Sequence, residues 1–81
     1  MIDFSVVIPV YNGAKSIEKL IENIEKELVN NEIQIILVND GSKDNSAQVC
    51  KELSKIKKNI KFINLRLVFI SNILLLNVLI F

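Results

Sequence analysis

Three short apolar runs alternate along the chain with two amphipathic stretches. Phe4-Ser5-Val6-Val7-Ile8 is rich in β-branched residues and is closed by Pro9. Ile33 to Val38 reads Ile-Gln-Ile-Ile-Leu-Val, and Asn59 to Leu65 carries Ile60-Lys61-Phe62-Ile63. Runs of this kind without strict polar alternation predict strands buried on both faces, as in a parallel sheet. Between the first two, Ile17, Leu20, Ile21, Ile24 and Leu28 recur at helical spacing, with Glu18, Lys19, Glu22, Asn23 and Lys26 on the other face. The pattern predicts a helix from Ala14 to about Asn30, with Glu22 and Lys26 in the favourable order for an ion pair. A second helix is predicted from Asp44 to about Lys57, with Val49, Leu53 and Ile56 on its apolar face.

Turn residues punctuate these elements. Asn12-Gly13 follows the first strand, and Asn12 is a candidate cap for the first helix. Asn39-Asp40-Gly41-Ser42 follows the second strand, with Ser42 or Asp44 as candidate cap for the second helix. Strand, helix, strand, helix, strand is the unit of a doubly wound α/β sheet. Right-handed crossovers place its strands side by side and parallel, with their carboxyl ends on one edge, where ligands bind in open α/β folds. That edge is formed by Pro9 to Gly13, Asn39 to Ser42 and whatever follows Leu65. The predicted strands cover residues 4–9, 33–39 and 60–64.

Composition narrows the chemistry. The chain has 81 residues, 51% hydrophobic and 23% charged, which suits one small folded domain rather than a disordered segment. Ten basic and nine acidic residues leave a net charge of +1, with no long-range pull toward nucleic acid. There is no histidine, and the single cysteine, Cys50, excludes an internal disulfide and a Cys-cluster zinc site. Cys50 falls on or beside the apolar face of the second helix and reads as a small core residue. The start, Met1-Ile2-Asp3, lacks the basic region of a signal peptide, so a cytoplasmic location is expected.

The two strand ends carry the candidate chemistry. Val7-Ile8-Pro9-Val10-Tyr11-Asn12 and Leu37-Val38-Asn39-Asp40-Gly41-Ser42, in this order and spacing, resemble the family 2 glycosyltransferases. In that family the first strand ends in a Pro-x-Tyr-Asn type turn and the second in an Asp-Asp-Gly-Ser type turn. Here Asn39 replaces the first of those acids. The resemblance runs from Phe4 to about Leu65. It implies the parallel βαβαβ half of a GT-A sheet, the Rossmann-like fold of nucleotide-diphospho-sugar transferases. It implies transfer of a hexosyl-type sugar from a UDP-linked donor, with Pro9, Val10, Tyr11 and Asp40 against the nucleoside and Gly41 and Ser42 shaping the pocket.

The residue types suit that role. A carboxylate at a strand end accepts from the imide N–H of a uracil-like base, and charge-assisted bonds are the stronger kind. Tyr11 offers an aromatic face to the base. Pro9 fixes the backbone so that the polar groups of Val10 can face a ligand. Gly41 permits a tight turn. The plainer reading of Asp40-Gly41-Ser42 is a turn and helix cap, and of Tyr11 alone, packing. Lys15 and Lys43 lie near helix N-termini, within reach of phosphates, but read first as solvated lysines. Glu18, Glu22, Glu25 and Glu27 read as a solvated helix face.

Much of the family's catalytic equipment has no counterpart here. The resemblance implies a later Asp-x-Asp motif holding a divalent metal, Mg or Mn, on the diphosphate, and in inverting members a still later acid as general base. No acidic residue follows Glu52. The expectation is therefore a donor-binding part, residues 1–65, without catalytic residues and inactive alone. Residues 66–81 form an apolar tail: Leu67 to Phe81 carries no charge and is punctuated by Ser71, Asn72 and Asn77. A span requires roughly 20 apolar residues, so the tail reads as a truncated or out-of-frame end, with incidental membrane association as the second reading. A non-catalytic flavodoxin-like or receiver-type binding module is the rival function. Receiver domains cluster acids after the first strand, where this chain has Pro9-Val10-Tyr11. A dinucleotide site wants a glycine-rich turn there, and only Gly13 is present.

Overall fold

The computed structural model describes residues 1–65 and the backbone of residues 78–80. Strand β1 spans Phe4–Val10, helix α1 Ile17–Glu27, strand β2 Ile33–Asp40, helix α2 Ser46–Ile56, strand β3 Ile60–Leu65 and strand β4 Val78–Ile80. The expected βαβαβ unit is present. β1 pairs with β2 in parallel from Phe4↔Ile33 to Val10↔Asn39, and β2 with β3 from Ile35↔Ile60 to Asp40↔Leu65.

β4 joins the other side of β1, also parallel, with Ser5 opposite Val78 and Val7 opposite Ile80. The sheet order is β3-β2-β1-β4. Strand order therefore reverses at β1, and the crevice outside the carboxyl end of such a strand is where open α/β sheets bind ligands. Of the expected tail, residues 66–77 and Phe81 lie outside the described residues. No helix among the described residues is long and apolar enough to cross a membrane.

One core explains the arrangement. Side chains alternate across a strand, and Val6, Ile8 and Val10 share a face with Ile33, Ile35, Leu37 and Ile60. These residues form a single buried cluster with Ile17, Ile21 and Ile24 of α1 and Cys50 and Leu53 of α2. Both helices thus cover the same face. Val7 and Val38, on the opposite face, are also fully buried, while Pro9 and Asp40 at its carboxyl edge are exposed.

The helices are shorter than their periodicity suggests. α1 starts at Ile17 because residues 14–16 form a turn, in which the Gly13 carbonyl accepts from the amides of Ser16 and Ile17 at 3.1 and 3.0 Å. Asn12 does not cap α1. The N-cap is Ser16, which makes no side-chain cap bond. Asn12 sits at φ 50°, a left-handed conformation that asparagine tolerates, and its side chain faces the second turn instead.

In α2 the buried stripe is Ser46, Cys50 and Leu53, and its next position is Lys57. Ile56, expected on the apolar face, is rotated off that stripe and is 76% exposed. The ammonium of Lys57 pairs with Glu25 at 2.6 Å, tying the C-terminal ends of the two helices together. Glu25 is accordingly not just a solvated acid, and the expected Glu22–Lys26 pair is not made. A half-exposed pair of this kind contributes on the order of 1 kcal/mol or less.

Candidate functional site

The carboxyl edge is built from two turns that face each other. The register places Val10, the last residue of β1, opposite Asn39, so Tyr11 and Asp40 each follow directly on a paired position. Tyr11 is 63% exposed, and Asp40 and Pro9 are exposed as well. Both residues thus lie at the same edge of the sheet, on exposed positions. By strand parity Pro9 and Asp40 belong to the face opposite α1 and α2. Val10 belongs to the other: its side chain is 3% exposed and lies in the core. What Val10 can offer a ligand is backbone, and its carbonyl already accepts the Ser42 hydroxyl at 3.3 Å.

Gly41 and Ser42 shape this edge by different means. Gly41 has φ 69°, in the left-handed region that an L side chain rarely adopts. A Cβ there would meet nothing within 4 Å, so the backbone angle alone selects glycine. The Ser42 hydroxyl accepts the Asn12 amide at 3.0 Å while donating to Val10. In return the Asn12 side chain accepts the Lys43 amide at 2.8 Å.

A second layer of contacts was only half visible in the sequence. Asp44 was a candidate cap, and it does accept the Ser46 amide at 2.9 Å, although the N-cap of α2 is Asn45. Its carboxylate also takes the Ser46 hydroxyl and, at 3.3 Å, the Ala14 amide of the first turn. Ser46 is fully buried, and its Oγ accepts the Gly13 amide at 2.9 Å. The hydrogen bond from Ser46 holds the Asp44 carboxyl below its ordinary value, against the opposing effect of desolvation. Ser46 itself went unmarked in the sequence; the signal was an Asp-x-Ser spacing at the start of a helix.

Asn39, which stands where the family has an acid, is 4% exposed. Its amide donates to Asn64 Oδ1 at 2.9 Å, bridging β2 and β3 at the edge. Its own Oδ1 is buried without a partner among the described residues. Lys15 and Lys43 are exposed. Cys50 is a free, fully buried thiol in the core; burial pushes its pKa up, and the Asp44 charge adds to that.

The edge does not fit a divalent ion. Both Asp44 oxygens are engaged by amide or hydroxyl hydrogens, which leaves Asp40 as the carboxylate of the two turns without a hydrogen bond among the described residues. No group of three or more His, Cys, Asp or Glu side chains among the described residues could hold a metal. A shallow cleft of about 430 Å³ opens at the opposite edge, lined by Glu25, Leu28, Val29, Asn31, Glu32, Ile33 and Asn59. It contains none of the candidate residues and lies at the amino ends of the strands, away from the edge where open α/β sheets bind ligands.

A segment of the chain is 50% identical over 46 residues to glycosyltransferase GlyG of Streptococcus pneumoniae, covering 57% of this chain and 15% of that protein. It is 46% identical over 57 residues to undecaprenyl-phosphate 4-deoxy-4-formamido-L-arabinose transferase of Proteus mirabilis, covering 68% of this chain and 18% of the relative. It is 44% identical over 54 residues to minor teichoic acid biosynthesis protein GgaB of Bacillus subtilis, covering 65% and 6% respectively. The match thus spans less than a fifth of each of these relatives. The family described as Glycosyl transferase family 2 matches residues 5–67, which include both turns and all three strands of the βαβαβ unit. The chain belongs to glycosyl transferase family 2.

Proposed function

We propose that this chain is the donor-binding part of a nucleotide-sugar-dependent glycosyltransferase, with a UDP-linked hexosyl donor. The observation that carries this reading is the position of exposed Tyr11 and Asp40, each one residue beyond the paired Val10 and Asn39, at the carboxyl edge where the sheet order reverses. The Tyr11 ring is the stacking face for the base. The Asp40 carboxylate accepts from the imide N–H, a donor that uracil has and cytosine lacks. Pro9, the Val10 backbone, Gly41 and Ser42 complete the nucleoside pocket. A carboxylate left without that donor loses a charge-assisted bond, which is the source of base selectivity.

Chemistry on the sugar needs more than this edge supplies. The metal that belongs with this reading, Mg or Mn, would be held by residues other than those of the two turns, and it would neutralise the charge that builds on the departing diphosphate. The 81-residue chain is accordingly a binder and not a catalyst. Titration with UDP and CDP tests the reading: the chain should favour UDP, and Asp40→Ala should abolish that preference. Equal affinity for both nucleotides in the unaltered chain, or an unchanged preference in the variant, removes Asp40 from the role. Metal-dependent sugar transfer by the purified chain would contradict its assignment as a binder alone.

A further inference from the structure

Five hydrogen bonds cross between the β1–α1 turn and the β2–α2 turn. Asn12 N donates to Ser42 Oγ, Ser42 Oγ to the Val10 carbonyl, Lys43 N to Asn12 Oδ1, Gly13 N to Ser46 Oγ and Ala14 N to Asp44 Oδ2. The amides of Asn12, Gly13 and Ala14 are consecutive, and each is taken by a different side chain of the second turn. Tyr11 lies between the held carbonyl of Val10 and the held amide of Asn12. Asp40 immediately precedes the turn that does the holding.

Asp44 and Ser46 act as a relay within this network. The Ser46 hydroxyl hydrogen is committed to Asp44, which leaves an oxygen lone pair to accept from Gly13. Bonds in such a chain polarise one another and strengthen together. Neither residue is at the edge position of Tyr11 or Asp40, and Ser46 is fully buried.

We propose that Asp44 and Ser46 are positioning residues of the nucleoside pocket, holding the first turn so that Tyr11 is set beside Asp40 before the ligand arrives. This rests on the reading that Tyr11 and Asp40 receive the nucleoside. A site organised in advance binds more tightly because less ordering remains to be done on binding.

The test uses the full 81-residue chain and UDP as the probe. Asp44→Ala and Ser46→Ala should each lower UDP affinity about tenfold, the scale of one lost charge-assisted hydrogen bond. Asp44→Asn, which keeps one acceptor oxygen and loses the other, should fall between the unaltered chain and Asp44→Ala. The double alanine variant should lose little more than either single one, because both act through one relay. Unchanged affinity in both alanine variants, with the preference for UDP over CDP intact in the unaltered chain, overturns the positioning role and leaves the site reading standing. An unaltered chain that does not bind UDP overturns both. Should the alanine variants fail to fold, hydrogen exchange on the unaltered chain decides. Saturating UDP should slow exchange at the Gly13 and Ala14 amides about tenfold at a concentration of roughly ten times Kd, by linkage. Exchange at those amides that does not respond to UDP overturns the proposal.

Discussion

Asn39 and Asn64 face each other across β2 and β3, the Asn39 amide donating to Asn64 Oδ1 at 2.9 Å. One partner is buried and the other exposed, so the stability of a buried polar group depends on a surface residue. Surface substitutions normally change stability by about 0.5 kcal/mol or less. Asn64→Ala should exceed that, costing about 1–3 kcal/mol, because it leaves the buried Asn39 amide without its acceptor. Asn39→Leu, which removes the buried polar group, should cost less than Asn64→Ala. Urea midpoints of the two variants settle the order, and an Asn64→Ala effect within the surface range would show that Asn39 finds another partner.

Gly41 offers a cleaner separation of backbone from packing. Its φ of 69° is unfavourable for alanine, yet a methyl group there would touch nothing within 4 Å. Gly41→Ala should therefore cost about 1–2 kcal/mol through backbone strain alone, and Gly41→Asn should cost less, since asparagine tolerates this region. Equal costs for the two, measured by thermal unfolding, would point to a role for the glycine other than its dihedral angle.

Acid should loosen the two turns through Asp44. Its carboxyl lies below the ordinary value of 3.8 because the charged form is hydrogen-bonded in the folded chain. A depressed carboxyl contributes stability that is present above the unfolded value and lost as pH falls through the folded one. The stability difference between the unaltered chain and Asp44→Asn should thus be constant at neutral pH and shrink below about pH 4. Denaturant titrations of both chains across that range measure it. A difference that stays constant to low pH would mean that the neutral acid holds the turns equally well.

Cys50 should be inert in the native state. The thiol is fully buried, and burial raises its pKa, so little thiolate is present or accessible. Alkylation at neutral pH should proceed only as fast as the chain opens, and should accelerate in denaturant. Cys50→Ser should destabilise by about 1–3 kcal/mol, the cost of a hydroxyl buried without a matched partner. Rapid labelling of the folded chain would show that α2 opens readily from the sheet.

The sequence by itself determined the three strands and two helices of the βαβαβ unit and their order. Apolar runs such as Ile33 to Val38 and the spacing of Ile17, Ile21 and Ile24 report local periods of two and 3.6, which depend only on neighbouring residues. Gly41 was legible as a turn residue for the same reason: its backbone preference is its own. The tertiary structure decided what the strand ends do to one another. That Tyr11 and Asp40 come to the same edge follows from the pairing of Val10 with Asn39, and local pattern sets the parity of such a register but not its offset. Asn12 was taken for a helix cap because capping is a local option; instead, its side chain bonds Lys43 in the opposing turn. Ile56 fits the apolar period of α2, yet it is exposed because the rotation of the helix is set by what Cys50 and Leu53 pack against. The bonds from the Gly13 and Ala14 amides to Ser46 and Asp44 and the Asn39–Asn64 bridge belong to the same class. They join residues far apart in sequence, and such contacts exist only once the sheet has brought its strand ends together.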